Sequence, residues 1–305
     1  MANTIELRGV TKRYDEFVAV DHLSFEMREG SVFGLLGPNG AGKTSTIRMM
    51  MGITMPDEGE VLCFGQPFER KHLERIGYMP EERGLYKKMK IIDHLVFLGQ
   101  LKGLSEAEAK RRSLDWAAKL DLQDWTGKKV EELSKGMQQK IQFIATLLHD
   151  PPLIIMDEPF SGLDPANAVQ LKDVLIELKK QGKTILFSTH RMDTVERLCD
   201  TICLVDHGKV VLMGDLKQVK SSYGKNSVQV EYEGDASFLQ DKALVESYND
   251  YGNYVEIKLV KGADSQALLR SISSRARVNK FELVEPSLEA IFIDVVKKDE
   301  VSAHA

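Results

Sequence analysis

Apolar and polar positions alternate near the start of the chain, at Ile5 and Leu7 and again at Leu23, Phe25 and Met27. That period of two predicts edge or half-buried strands. Ser31–Leu36, Leu153–Met156, Thr184–Ser188 and Thr201–Val205 are instead short, nearly continuous apolar runs, which suit strands covered on both faces in a parallel sheet. Longer helical stretches fall between them, at Gly42–Met51, Ser105–Leu120, Ser134–Leu148 and Pro165–Gln181. Alternation on this scale predicts an α/β fold with right-handed crossovers. His207-Gly208-Lys209 reads as a hairpin tip between Cys203–Val205 and Val210–Met213.

The texture changes near residue 220. Val228, Val230 and Tyr232 alternate, as do Val255, Ile257 and Leu259. A helical stripe follows at Ala267, Leu268, Ser271 and Ile272, then Phe281 and Leu283 in a strand, then Leu288, Ile291, Phe292 and Val295 on a last helix. The expected organisation is a first domain over residues 1–220, a polar linker at Ser221–Asn226, and a small α+β domain over 226–298. The tail from Lys297 to Ala305 is expected to fray.

The length of 305 residues fits two domains. A net charge of −5 argues against binding nucleic acid through bulk charge, and three cysteines are too few for a disulfide framework. No apolar run approaches the ~18 residues of a membrane span, and the polar start, Met1 to Thr4, lacks a signal-peptide profile. The expectation is a cytoplasmic chain that serves a membrane only as a peripheral partner.

The chemistry begins at Gly37-Pro38-Asn39-Gly40-Ala41-Gly42-Lys43-Thr44, which fits G-x-x-x-x-G-K-[ST] between an apolar strand and a helix. Small residues let backbone N–H groups converge on phosphate oxygens, and the helix aims its positive end at them. In such a loop Lys43 reaches the β- and γ-phosphates, the Thr44 hydroxyl is a hard ligand for Mg²⁺, and Ser45 meets the α-phosphate. Leu153-Ile154-Ile155-Met156-Asp157-Glu158 supplies the acidic partner as a buried strand ending in two carboxylates. Strand alternation is expected to point them apart, so that one can hold the magnesium water shell while the other meets the attacking water.

Further segments fall into order around these. Leu133-Ser134-Lys135-Gly136-Met137 opens a helix with Ser134 as cap, Ser161-Gly162-Leu163-Asp164 follows Glu158, Ser188-Thr189-His190 ends the next strand, and Tyr14 precedes the second strand. Over residues 4–220 the chain resembles the ATPase subunit of an ATP-binding cassette (ABC) transporter: a parallel core sheet, an N-terminal antiparallel β subdomain and a helical insert. The resemblance implies that Tyr14 stacks on adenine, Glu158 is the general base and His190 contacts the γ-phosphate. It implies too that Asp164 links two sites across a dimer, while Ser134, Lys135 and Gly136 meet the γ-phosphate of the opposite subunit.

Two positions depart from the family pattern. Glu81, in Tyr78-Met79-Pro80-Glu81-Glu82, stands where the family has glutamine, and can still ligate Mg²⁺ or its water without offering amide donors. Lys135 and Met137 replace the signature's glycine and glutamine. This form, with Pro80-Glu81-Glu82-Arg83-Gly84-Leu85-Tyr86 upstream, resembles the subfamily serving exporter-type (ABC-2) permeases, including sodium-extrusion systems. Glu285-Pro286-Ser287-Leu288-Glu289-Ala290-Ile291-Phe292 resembles the end of the accessory domain on those ATPases.

The expected function is therefore ATP hydrolysis, with ATP and Mg²⁺, that energises export. The expected partners are a separate integral-membrane permease and a second ATPase subunit across a nucleotide sandwich, with no nucleic acid. An importer ATPase and a soluble ABC ATPase acting on the ribosome or nucleic acid are the alternatives. The single cassette, with no room for long coiled coils between Lys43 and Asp157, speaks against the soluble forms.

Overall fold

The computed structural model describes residues 3–223 and 227–303, with side chains as far as Val295. The chain divides into two compact units, residues 1–213 and 214–305.

In the first unit β1 (Asn3–Tyr14) and β2 (Phe17–Arg28) pair antiparallel. Their register sets Ile5 opposite Met27, Leu7 opposite Phe25 and Val10 opposite Leu23, so the alternating apolar set faces one core. Next come β3 (Val32–Leu36), α1 (Lys43–Met50), β4 (Glu58–Cys63), β5 (Gln66–Pro67) and β6 (Ile76–Met79). An insert of α2 (Ile91–Leu101) and α3 (Glu106–Lys119) leads to α4 (Lys135–Leu147), and these three helices pack on one another. The unit closes with β7 (Leu153–Asp157), α5 (Pro165–Lys180), β8 (Thr184–Thr189), α6 (Met192–Leu198), β9 (Thr201–Asp206) and β10 (Lys209–Asp215).

The strands make two sheets. One is antiparallel with order β2-β1-β4-β5, and the other has order β10-β9-β3-β8-β7-β6. Strands β9, β3, β8, β7 and β6 run parallel, and β3, β7 and β8 are buried at every residue. That is why they read as continuous apolar runs. The hairpin turn is His207–Gly208, both with positive φ, as a type I′ turn requires.

The second unit has α7 (Leu216–Ser222), β11 (Ser227–Gly234), β12 (Val245–Asp250), β13 (Val255–Leu259), α8 (Ser265–Ser273), β14 (Ala276–Val284) and α9 (Leu288–Ala303). Its antiparallel sheet has order β12-β13-β11-β14 around a core of Val228, Val230, Phe238, Ile257, Leu268 and Ile272. Two expectations change here. Ser221 and Ser222 end a helix that Asp215 caps, rather than opening a linker, while residues 224–226 of that stretch lie outside the described residues. The last helix runs on through Lys297 to Ala303, past the point of expected fraying.

His94, on α2, is fully buried, and neither ring nitrogen has a hydrogen-bond partner among the described residues. Its ring meets Tyr86 edge-on at 5.6 Å. Burial alone pushes its pKa below the ordinary imidazole value. As pH falls below about 6.5, the unfolded chain therefore takes up the proton first, and stability drops. His94→Leu is expected to raise the thermal midpoint by about a few degrees at pH 7 and to flatten its decline between about pH 6.5 and 5. Thermal unfolding across that range checks both, and an unchanged pH slope would contradict the assignment.

Candidate functional site

The loop between β3 and α1 fixes the first half of the site. Gly37 has φ 150° and a side chain there would place Cβ 2.2 Å from the Val205 carbonyl oxygen. Gly42 has φ 102° and its Cβ would lie 2.3 Å from that of Ala19. Both positions exclude every other residue. No side chain caps α1, so its first N–H groups are left for an anion. Lys43, only 6% exposed, donates to the Gly37 carbonyl at 2.7 Å and to that of Pro38 at 3.0 Å, leaving one ammonium proton for a ligand. Burial lowers its pKa, against the opposing charges of Glu158, Asp157 and Glu81.

The loop opens on a cleft of about 320 Å³ lined by Tyr14, Phe17, Ala19, Asn39, Gly40, Gly42, Lys43, Thr44, Ser45, Glu81 and Glu158. Tyr14 stands at the end of β1, 40% exposed, with the Lys12 ammonium 5.7 Å from its ring centre. Pro38 and the buried Ala41 belong to the loop without lining the cleft.

The carboxylates diverge for a reason other than strand alternation. Strand β7 ends at Asp157, and Glu158 lies beyond it with φ 49°, in the left-handed region. Asp157 is 1% exposed. Its Oδ1 accepts from the Ser188 hydroxyl, and its Oδ2 is buried without a partner among the described residues. The Glu158 carboxylate meets His190 Nδ1 at 3.0 Å and Lys43 Nζ at 3.9 Å. Burial raises the Glu81 pKa, and the charges of Asp157 and Glu158 add to the effect.

A buried carboxylate oxygen left unpaired is costly, and the Asp157 oxygen suits a hard cation. No group of three or more His, Cys, Asp or Glu residues able to hold a metal occurs among the described residues. One such carboxylate, with the hydroxyl of Thr44, a residue that lines the cleft, fits Mg²⁺, which keeps waters and phosphate oxygens as most of its ligands.

Ser134 caps α4 by accepting from Met137 N–H at 3.2 Å. Asp164 caps α5, and hydrogen bonds from Asn167 hold its carboxyl below the usual range. None of Ser134, Lys135, Gly136 and Asp164 lines the cleft around Lys43. Gly136 is buried, yet an added Cβ would meet nothing closer than 3.7 Å. Nothing in its own chain requires glycine there. Three supports carry no signal in the sequence: Ser188, which bridges Asp157 and the Glu158 N–H, and Arg83 with Gln139, which pair at 3.1 Å.

Residues 20–161 match the family described as ABC transporter, and residues 214–296 match the ATP-binding protein DrrA1-3-like C-terminal domain. The chain is 45% identical over 287 residues to uncharacterized ABC transporter ATP-binding protein YhaQ of Bacillus subtilis, covering 94% of this chain and 96% of that one. It is 36% identical over 234 residues to Nod factor export ATP-binding protein I of Cupriavidus metallidurans, covering 75% and 77%. A solved structure of an ATP binding subunit of an ABC transporter superposes with TM-score 0.67 at 32% identity, covering 72% of this chain and 93% of that one. With its phosphate loop, its carboxylate pair and these likenesses, the chain belongs to the ABC transporter ATP-binding proteins and is an ATPase.

Proposed function

We propose that this ATPase binds ATP with Mg²⁺, pairs face to face with a second ATPase subunit, and drives export through a separate membrane permease. What carries the reading is the approach of Lys43 and His190 to the carboxylate of Glu158, which lines the cleft although His190 does not, together with the unpaired Asp157 oxygen. Tyr14 stacks on adenine, and the α1 N–H groups, Lys43 and Ser45 hold the phosphates. Thr44, Asp157 and Glu81 hold the magnesium or its waters. Bound Mg²⁺ supplies charge neutralisation at the phosphates. Glu158 takes the proton of the attacking water, and His190 holds its carboxylate and reaches toward the γ-phosphate.

Ser134, Lys135 and Gly136 stand outside the cleft of their own chain, which supports their serving the cleft of the second subunit, with Asp164 linking the two sites. Gly136, unexplained sterically at home, supports the same arrangement. Export is supported by the relative named for Nod factor export. No helix among the described residues is long and apolar enough to cross a membrane.

The permease contact is assigned to the insert between Glu81 and Ser134, near Leu85 and Tyr86. A mainly apolar groove of about 220 Å³ beside that segment, lined by Tyr78, Pro80, Leu85, Leu98 and Leu101 among others, supports this. The test is purification of the full chain from detergent-solubilised membranes. A polytopic subunit is expected to co-purify with it. Recovery with ribosomes instead, and no membrane protein, would contradict the reading.

A further inference from the structure

A non-glycine residue keeps φ near +49° only when its surroundings hold it there. Glu158 is held from both sides of its peptide. Its N–H donates to the Ser188 hydroxyl at 3.0 Å, and its carbonyl accepts from Ser161 N–H at 3.1 Å. The third contact comes from a distant helix. The Gln139 side-chain amide donates to the Pro159 carbonyl at 3.1 Å and to the Glu158 carbonyl at 3.5 Å.

Gln139 lies on α4 and is 1% exposed. Its other end, Oε1, accepts from the Arg83 guanidinium at 3.1 Å. Arg83 sits two residues beyond Glu81, in the segment that leads to Leu85 and Tyr86. One turn further along α4, Gln142 donates to the Pro80 carbonyl at 2.6 Å. Residues three apart share a helix face. One face of α4 thus grips the segment after β6, and through Gln139 it also grips the turn that carries Glu158.

Hydrogen-bond chemistry fixes the direction of this chain. A guanidinium only donates and a carbonyl only accepts. Arg83 therefore holds the Gln139 oxygen toward itself and leaves the amide N–H groups facing the two carbonyls. Reversing the amide would set oxygen against oxygen and donor against donor.

We propose that Arg83 and Gln139 form a positioning relay for Glu158: the guanidinium orients the amide, and the amide fixes the turn from which the carboxylate reaches the cleft. Neither residue lines that cleft, so both act through Glu158. Movement of the segment from Pro80 to Tyr86 is passed to the carboxylate by this route. The inference rests on the reading of Glu158 as general base.

Gln139→Met keeps length and burial but removes all three side-chain hydrogen bonds. Gln139→Glu keeps the acceptor for Arg83 and removes the donor. Both are expected to lower the kcat of the full chain about 10-fold, as small misplacements of a base do, with KM for ATP within about twofold. Arg83→Met, at a partly exposed site that leaves the buried amide in place, is expected to lower kcat about threefold. Combined with Gln139→Met it should add nothing, the non-additivity of one unit.

The decisive background is Glu158→Gln. There Gln139→Met should cost nothing further in single-turnover hydrolysis, because the group it positions is gone. A kcat within twofold of wild type for Gln139→Met, or an equal proportional loss with and without Glu158, would overturn the relay. Near-normal turnover of Glu158→Gln itself would bring down the base assignment and the relay with it. An inert Glu158→Gln beside an unaffected Gln139→Met would bring down the relay alone.

Discussion

Glu158→Gln is expected to bind ATP and to lose turnover by ~10²-fold or more, the range for removing a general base. That loss corresponds to about 2.7 kcal/mol or more of barrier. The amide keeps the shape of the carboxylate, and the backbone hydrogen bonds that hold the residue at φ 49° do not involve its side chain. His190, 3.0 Å from the carboxylate, can still donate to the amide oxygen. What disappears is proton affinity. In the proposed face-to-face pair, ATP held without hydrolysis keeps the two subunits together, so the variant should accumulate as an ATP-dependent dimer on a sizing column. Turnover near the wild-type rate would remove Glu158 from the role.

Lys43→Ala is expected to abolish hydrolysis, with a loss of about 10²–10³-fold or more when a main electrostatic contact to the reacting phosphate is removed. The ammonium is buried, tied to the Gly37 and Pro38 carbonyls, and faces three carboxylates that favour its charge. Without it Glu158, Asp157 and Glu81 present negative charge to an anionic ligand with no buried cation between them. ATP affinity should fall as well, which distinguishes this variant from Glu158→Gln. Titration with a fluorescent ATP analogue measures the difference. Equal affinities for the two variants would contradict the assignment.

Where information is local, the sequence carries it. The phosphate loop is legible because strand, glycines, lysine and helix are consecutive, and its clashes with Val205 and Ala19 show why no other residue serves. The parallel strands are legible because burial on both faces leaves only apolar residues. Strand β12 gives no such signal: of Val245–Asp250 only Val245 is buried. The divergence of Asp157 and Glu158 was expected for the wrong cause. Its true cause, a left-handed turn, depends on Ser188 and Gln139, which arrive from other elements. Arg83 and Gln139 look like ordinary polar residues in sequence. Only tertiary packing, 56 positions apart, makes them partners.

The central claim is that each site is shared between two chains, since Ser134 and Gly136 lie away from the cleft of their own Lys43. Lys43→Ala and Ser134→Arg, which blocks the capped start of α4, are each expected to be inactive. Mixed, they should form a heterodimer with one doubly damaged site and one intact site that pairs Lys43 with Ser134. The direct measurement is ATP hydrolysis by this mixture against total protein concentration. A mixture of Lys43→Ala with the Lys43→Ala/Ser134→Arg double variant serves as the control, because it can build no intact site. The account predicts that activity returns in the first mixture and rises with concentration as association requires. If that mixture stays as inactive as the control while the wild-type chain dimerises, the site is not shared.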